Sequence, residues 1–202
     1  MPDASLAARE RAALADLLDQ VGPDAPTCCE GWTAADLVAH VVVRDSRPDA
    51  MPGFSVERFP WGARLSRWSH RIEERTRVGR PYAELVSRVR SGPPPWSPVR
   101  LPAIDRVLNS SEFVIHHEDV RRAQPDWRPR ALPLPDQDAL WAIGKTFARL
   151  SKRPLLLRRS DATGVEHRGG PASDTPRTVT GEPLELLLWL SGRRSVARVD
   201  VS

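Results

Sequence analysis

Two imidazoles and a carboxylate carry the chemistry this sequence can offer. Glu112 and His116 stand four residues apart in a helically patterned run, so their side chains leave one helix face about a turn from each other. That is how a helix presents two ligands to one metal ion. A lone Glu-x-x-x-His pair arises often by chance. His40 adds weight: its ring lies between Leu37 and Val41 on the apolar side of another amphipathic run, where an unpartnered polar group costs free energy. Its partner is either a backbone carbonyl or, with Glu112 and His116, a divalent metal. Two neutral imidazoles and one carboxylate leave a net +1 on Zn²⁺, and three protein ligands leave an open position for water or substrate. Ni²⁺ and Fe²⁺ accept the same donors. A metal so held generates hydroxide or thiolate near neutral pH.

Around these three, several residues admit two readings. At roughly 100° per residue, Asp105, Asn109, Glu112, His116 and Asp119 form one polar line bordering the interior. The apolar line Ile104, Leu108 and Ile115 beside it is expected to face the core. Asn109 and Asp119 either hydrogen-bond a ligand or substrate, or are simply a polar helix edge. Arg44, one turn beyond His40, either meets an anionic substrate or closes a salt bridge within the bundle. His117 and Glu118 point away from His116 and read as structural or surface residues. Adjacent Cys28 and Cys29 cannot form an ordinary disulfide without strain, so they pack, unless one lends a thiolate to the site. Nothing marks His70 or His167 as a ligand, and tryptophans such as Trp32, Trp68, Trp141 and Trp189 read as core and interface anchors.

The elements that must position these residues follow from periodicity. Residues 4 to 21 form an amphipathic helix ended by Gly22-Pro23, and a second runs from about 33 to 45, opened by Thr33 with Asp36 three residues on as in a capping box. A third arm comprises 56 to 79, its start delayed by Pro60, and 81 to 92. The fourth, 101 to 123, carries Glu112 and His116. The proline-rich stretch 124 to 135 marks a boundary. Beyond it a helix at 136 to 152, strands at 154 to 160 and 164 to 169, a helix at 182 to 192 and a terminal strand at 196 to 201 make a small α/β unit. The fold class is thus α+β: a helical bundle over residues 1–127 followed by a small α/β domain over 128–202.

Composition bounds the function classes. No apolar run approaches the roughly 20 residues that span a bilayer, and the first residues lack the apolar stretch of a secretory signal. The expectation is a cytoplasmic protein with no membrane partner. The net charge is +4, but lysine occurs only at Lys145 and Lys152, and the arginines are interleaved with acids as at 73–75 and 118–122. Such mixed signs describe a solvated surface, and no nucleic-acid partner is expected.

Three stretches in order, DAPTCCEGWTAADLVAH at 24–40, NSSEFVIHHEDVRRA at 109–123 and TVTGEPLELLLWLSGR at 178–193, resemble the mycothiol-dependent maleylpyruvate isomerase family, within the DinB-like superfamily of metal-binding four-helix bundles. The likeness spans most of the chain and is stronger toward a metal-binding branch of that family than toward the isomerase. It implies His40, Glu112 and His116 as metal ligands and mycothiol as cosubstrate, its sulfur taking the open metal position as a thiolate to act on a small electrophile. The expected activity is therefore that of a transferase or isomerase. Two other classes stand beside it, a metal- or thiol-binding accessory protein without turnover, and a hydrolase using bound hydroxide, for which no independent general base is evident.

Overall fold

The computed structural model describes residues 4–47, 62–97, 101 and 108–202. Pro60, Ile104 and Asp105 lie outside the described residues. The chain parts into two compact units, Met1–Trp127 and Arg128–Ser202.

The first unit is helical: α1 (Leu6–Val21), α2 (Ala34–Ser46), α3 (Gly62–Val78), α4 (Tyr82–Ser91) and α5 (Ser110–Arg122). Local chemistry sets their ends. The Ser5 hydroxyl accepts the Ala8 N–H at α1, whose run stops at Gly22. At α2 the Thr33 N–H donates to Asp36 Oδ2 at 2.9 Å, closing the expected capping box. The third arm is two helices, α3 packed on α2 and α4 on both α1 and α2. Leu14, Leu18, Leu37, Val38, Val41, Leu85, Val86, Phe113 and Val120 form the core. Tyr82 ties α4 to α1 by donating its hydroxyl to the Leu18 carbonyl at 2.9 Å.

Helix α5 corrects the expected wheel. Its core residues are Phe113 and Val120, both fully buried, with Ile115 beside them, whereas Leu108 is 47% exposed. The polar line does not merely border the interior: Asn109, His116 and Asp119 are all buried. Nor is 118–122 a solvated charge run. Glu118 has no exposed surface and accepts from Arg122 Nε at 2.6 Å and Arg121 Nη1 at 2.8 Å, while His117 Nδ1 meets Glu10 Oε2 of α1 at 2.8 Å. A buried helix can carry such charges because each is paired. Trp68 and Trp96 depart from the expected anchoring role, being partly exposed and exposed.

The second unit comprises α6 (Leu134–Arg149), β1 (Leu155–Arg159), β2 (Glu166–Gly169), β3 (Arg177–Gly181), α7 (Pro183–Leu190) and β4 (Asp200–Val201). The sheet order is β2-β1-β3-β4, with β1 antiparallel to β2 and parallel to β3, Leu155 facing Arg177. β4 pairs antiparallel with β3 and is shorter than the terminal strand expected from 196 to 201. Trp141 and Ala148 of α6 and Leu186 and Trp189 of α7 pack with Leu155, Leu157 and Val179 of the sheet. The turn after β2 requires glycine: Gly170 has φ +72°, and a Cβ there would sit 2.1 Å from the Arg153 carbonyl oxygen. No helix among the described residues is long and apolar enough to cross a membrane.

Phe113 lies beside Glu112 in sequence but inside the core, so Phe113→Ala is expected to cost about 3–5 kcal/mol in denaturant unfolding. A cost below about 1 kcal/mol would show that α5 is not anchored by that ring.

Candidate metal centre

Helices α2, α3 and α5 each bring part of one cluster. His40 comes from α2, held on its apolar face among Leu37, Val38 and Val41. Glu112 and His116 come from successive turns of α5. The three converge: His40 Nε2 is 3.0 Å and His116 Nε2 is 3.1 Å from the same oxygen, Glu112 Oε1. The two rings stand edge to face with centroids 5.3 Å apart. Their side chains are 10% exposed against 25% for Glu112, so the cluster is shielded on the histidine side and reachable at the carboxylate.

Behind each histidine stands a second carboxylate. His40 Nδ1 is 2.7 Å from Glu73 Oε1, and His116 Nδ1 is 3.0 Å from Asp119 Oδ2. Such outer partners fix ring orientation and raise ligand basicity. Cys29 Sγ also donates to Asp119 Oδ2 at 3.1 Å, which brings the pre-α2 loop to the site, and neither Cys28 nor Cys29 is in a disulfide. Cys29, His116 and Asp119 form a second set of donors close enough to share an ion. Arg44 is buried and engaged: Nη2 donates to Asn109 Oδ1 at 2.8 Å, Nη1 to Asp45 Oδ1 at 3.2 Å, and Nε lies 3.6 Å from Glu112 Oε1. Of the two sequence readings for Arg44, the geometry displays the salt bridge, and Asn109 serves by holding it.

Glu73 is the residue sequence reasoning passed over, grouped with a solvated Glu-Glu-Arg run. Its signal was its place directly after Ile72 on α3, on the flank of the buried face that also takes in Ser69. Exposed His70 meets its other oxygen, Nδ1 to Oε2 at 3.1 Å. Beside Glu73 a cavity of about 270 Å³ opens, bordered by Trp32, Asp36, His70 and Arg77.

Carboxylates only accept, so a ring with one facing each nitrogen donates from both and is an imidazolium. Burial works against charge on His40, yet hydrogen bonds to Glu112 and Glu73 outweigh it and raise its pKa. Burial opposes His116 too, but the Glu112 charge and hydrogen bonds to Asp119 and Cys29 lift it well above the usual histidine range. For Glu112, burial is overcome by His116, His40 and Arg44, which hold it well below the usual carboxylate range. The two Nε2 protons between the rings and Glu112 carry the charge of one divalent cation, so an ion replacing them leaves the cluster's charge unchanged. The donor set fits a metal.

The signs of these shifts give a pH dependence. Raised histidine pKa values stabilise the ion-free fold fully below about pH 6.5 and lose that contribution as pH rises through them, whereas the depressed Glu112 value contributes above about 4.3 and is lost as pH falls. After chelation, the melting-temperature gap between the parent and His116→Gln is expected to narrow as pH climbs above about 6.5. Added divalent metal competes with those protons and should stabilise more as pH rises. A gap that widened with pH in the chelated protein would refute the imidazolium pair.

Residues 4–95 match the family model described as the mycothiol maleylpyruvate isomerase N-terminal domain. No curated protein matches the chain. Among solved structures, the crystal structure of the mycothiol-dependent maleylpyruvate isomerase superposes with a TM-score of 0.59 at 16% identity, covering 98% of this chain and 90% of that one. A histidine-to-alanine mutant of that isomerase gives a TM-score of 0.56 at the same identity and coverage. At that identity the superposition establishes a shared fold, an α+β architecture of a helical bundle followed by a small four-stranded sheet with its helices. The likeness to the mycothiol maleylpyruvate isomerase N-terminal domain is thus carried by residues 4–95, somewhat under half of the chain.

Proposed function

We propose that residues 1–127 form a DinB-like metal-binding bundle in which His40, Glu112 and His116 hold one divalent ion, Zn²⁺ first and Ni²⁺ or Fe²⁺ as alternatives. The protein would use it with mycothiol in transferase or isomerase chemistry on a small electrophile. One observation carries the reading: two buried imidazoles meet a single carboxylate oxygen through Nε2 while a separate carboxylate holds each Nδ1. When bound, the ion supplies Lewis acidity that keeps a ligating thiol in its nucleophilic thiolate form near neutral pH.

The chain's own residues have distinct tasks. Glu73 and Asp119 keep each Nδ1 protonated and aim each Nε2 at the space beside Glu112, where an ion would replace the two Nε2 protons. Arg44, steadied by Asn109 and Asp45, sits near Glu112 and limits its rotation. The 25% of the Glu112 side chain open to solvent leaves a way in for thiol and substrate. Family likeness supports mycothiol as the thiol.

A second reading, a metal- or thiol-binding accessory protein without turnover, is favoured by one feature. Each of the cluster's carboxylates and Arg44 is engaged by a neighbour, which leaves no independent base and no uncommitted cation in the cluster among the described residues.

Elemental mass spectrometry of the purified protein is expected to show about one metal equivalent, lost in His40→Ala and Glu112→Ala. A parent still metal-free after reconstitution with all three ions would end the proposal. Glu73→Ala should weaken metal binding about 10–100-fold in competition titration with a chromogenic chelator; unchanged affinity would remove Glu73 from the site. Thiol-dependent product formation from an electrophile such as maleylpyruvate separates the enzyme from the accessory protein, which would bind to saturation without product.

A further inference from the structure

The second unit contains a groove of about 400 Å³ where α6 and α7 end and β1 and β3 begin. Lys152, Arg153, Arg177 and Arg194 line it, with Phe147, Trp189 and leucines supplying apolar surface and no acid contributing. Arg194 places its guanidinium carbon 4.8 Å from the Trp189 ring centroid.

Several surface arginines of this chain are answered by carboxylates, Arg80 and Arg88 by Glu84, Arg90 by Asp16 and Asp19, and, within the same sheet, Arg158 by Glu166, whereas Arg168 donates to the Ser173 carbonyl. Among the described residues, no ion pair joins a carboxylate to Lys152, Arg153, Arg177 or Arg194. The ends of α6 and α7 attract positive charge, but each amounts to about half an elementary charge. Together they offset about one of the four cations.

We propose that this groove binds a small organic dianion: a phosphate monoester or dicarboxylate carried on a flat apolar ring. Guanidinium forks match a phosphate or carboxylate bidentately. Trp189 and Phe147 offer ring faces and edges to the apolar body. The volume lies within the roughly 300–1,000 Å³ of small-molecule sites, and a concave pocket suits a compact ligand better than an extended polyanion. The site is built within the second unit alone and does not depend on the metal reading.

The test is isothermal titration of the full chain with phenyl phosphate, beside inorganic phosphate and uncharged benzyl alcohol, all after chelation so that binding to a metal is excluded. Saturable one-to-one binding is expected, at least about tenfold tighter than inorganic phosphate, with none for benzyl alcohol. Arg177→Gln with Arg194→Gln should weaken it at least about tenfold, as should Lys152→Gln with Arg153→Gln, while Arg158→Gln leaves it unchanged. All five side chains are exposed, and far-UV circular dichroism verifies that each variant is folded. No saturable heat, equal affinity for inorganic phosphate, or undiminished binding by both folded double variants would overturn the proposal. So would binding of duplex DNA or phosphatidylserine vesicles, lost in those variants, without binding of phenyl phosphate.

Discussion

A carboxylate drawn into a helical bundle must have positive charge brought to it, and Glu112 imposes that demand on the first unit. His40 answers from α2, His116 from the next turn of α5, and Arg44 from a turn beyond His40. Each answering group is itself buried and needs a partner, so the demand passes outward to Glu73 on α3, to Asp119 on α5 and to Asn109 and Asp45 around Arg44. The register of α2 and α5 is coupled through one oxygen atom, and α3 joins them through Glu73 on His40. Turning α5 by a single residue, about 100°, would carry Glu112 and His116 away from His40 together. Phe113 in the core and His117 on Glu10 of α1 resist that rotation from other sides of the helix.

The charge balance is graded rather than fully neutralised. Asp45 is the direct partner of Arg44, yet burial pushes its pKa up to about 6 against the pull of Arg44 and Arg11, and its Oδ2 has no hydrogen-bond partner among the described residues. The Arg44 guanidinium is shared between Asp45, at 3.2 Å, and Glu112, at 3.6 Å. Asn109 contributes a neutral acceptor and holds geometry without cancelling charge.

Much of this was legible in the sequence, and what was not has identifiable reasons. The i, i+4 spacing of Glu112 and His116 and the apolar setting of His40 are local patterns, and they located residues that the fold does bring together. Glu73 escaped because a charged residue between Glu74 and an apolar Ile72 looks solvated until a partner on another helix is known. Leu108 was placed inward by a wheel that ignored how thoroughly ion pairing lets α5 bury polar residues. In the second unit β3 was overlooked because only Val179 and Gly181 of its five residues are buried, and the parallel partner that makes it a strand, β1, lies more than a dozen residues upstream. Pairing at that range leaves no periodic trace within the strand itself.

The division of labour around α5 bears on descent. Residues that lock the helix (Phe113, His117) differ from those that converge on His40 (Glu112, His116), so selection can act on the two sets separately. A lineage could exchange the converging polar residues for apolar ones of similar size and keep the scaffold, because replacing a buried ionic cluster by well-packed apolar groups is often neutral or stabilising. The architecture can therefore outlive its chemistry, and shared shape at low identity says less about inherited activity than the continued presence of His40, Glu73, Glu112, His116 and Asp119 as a set.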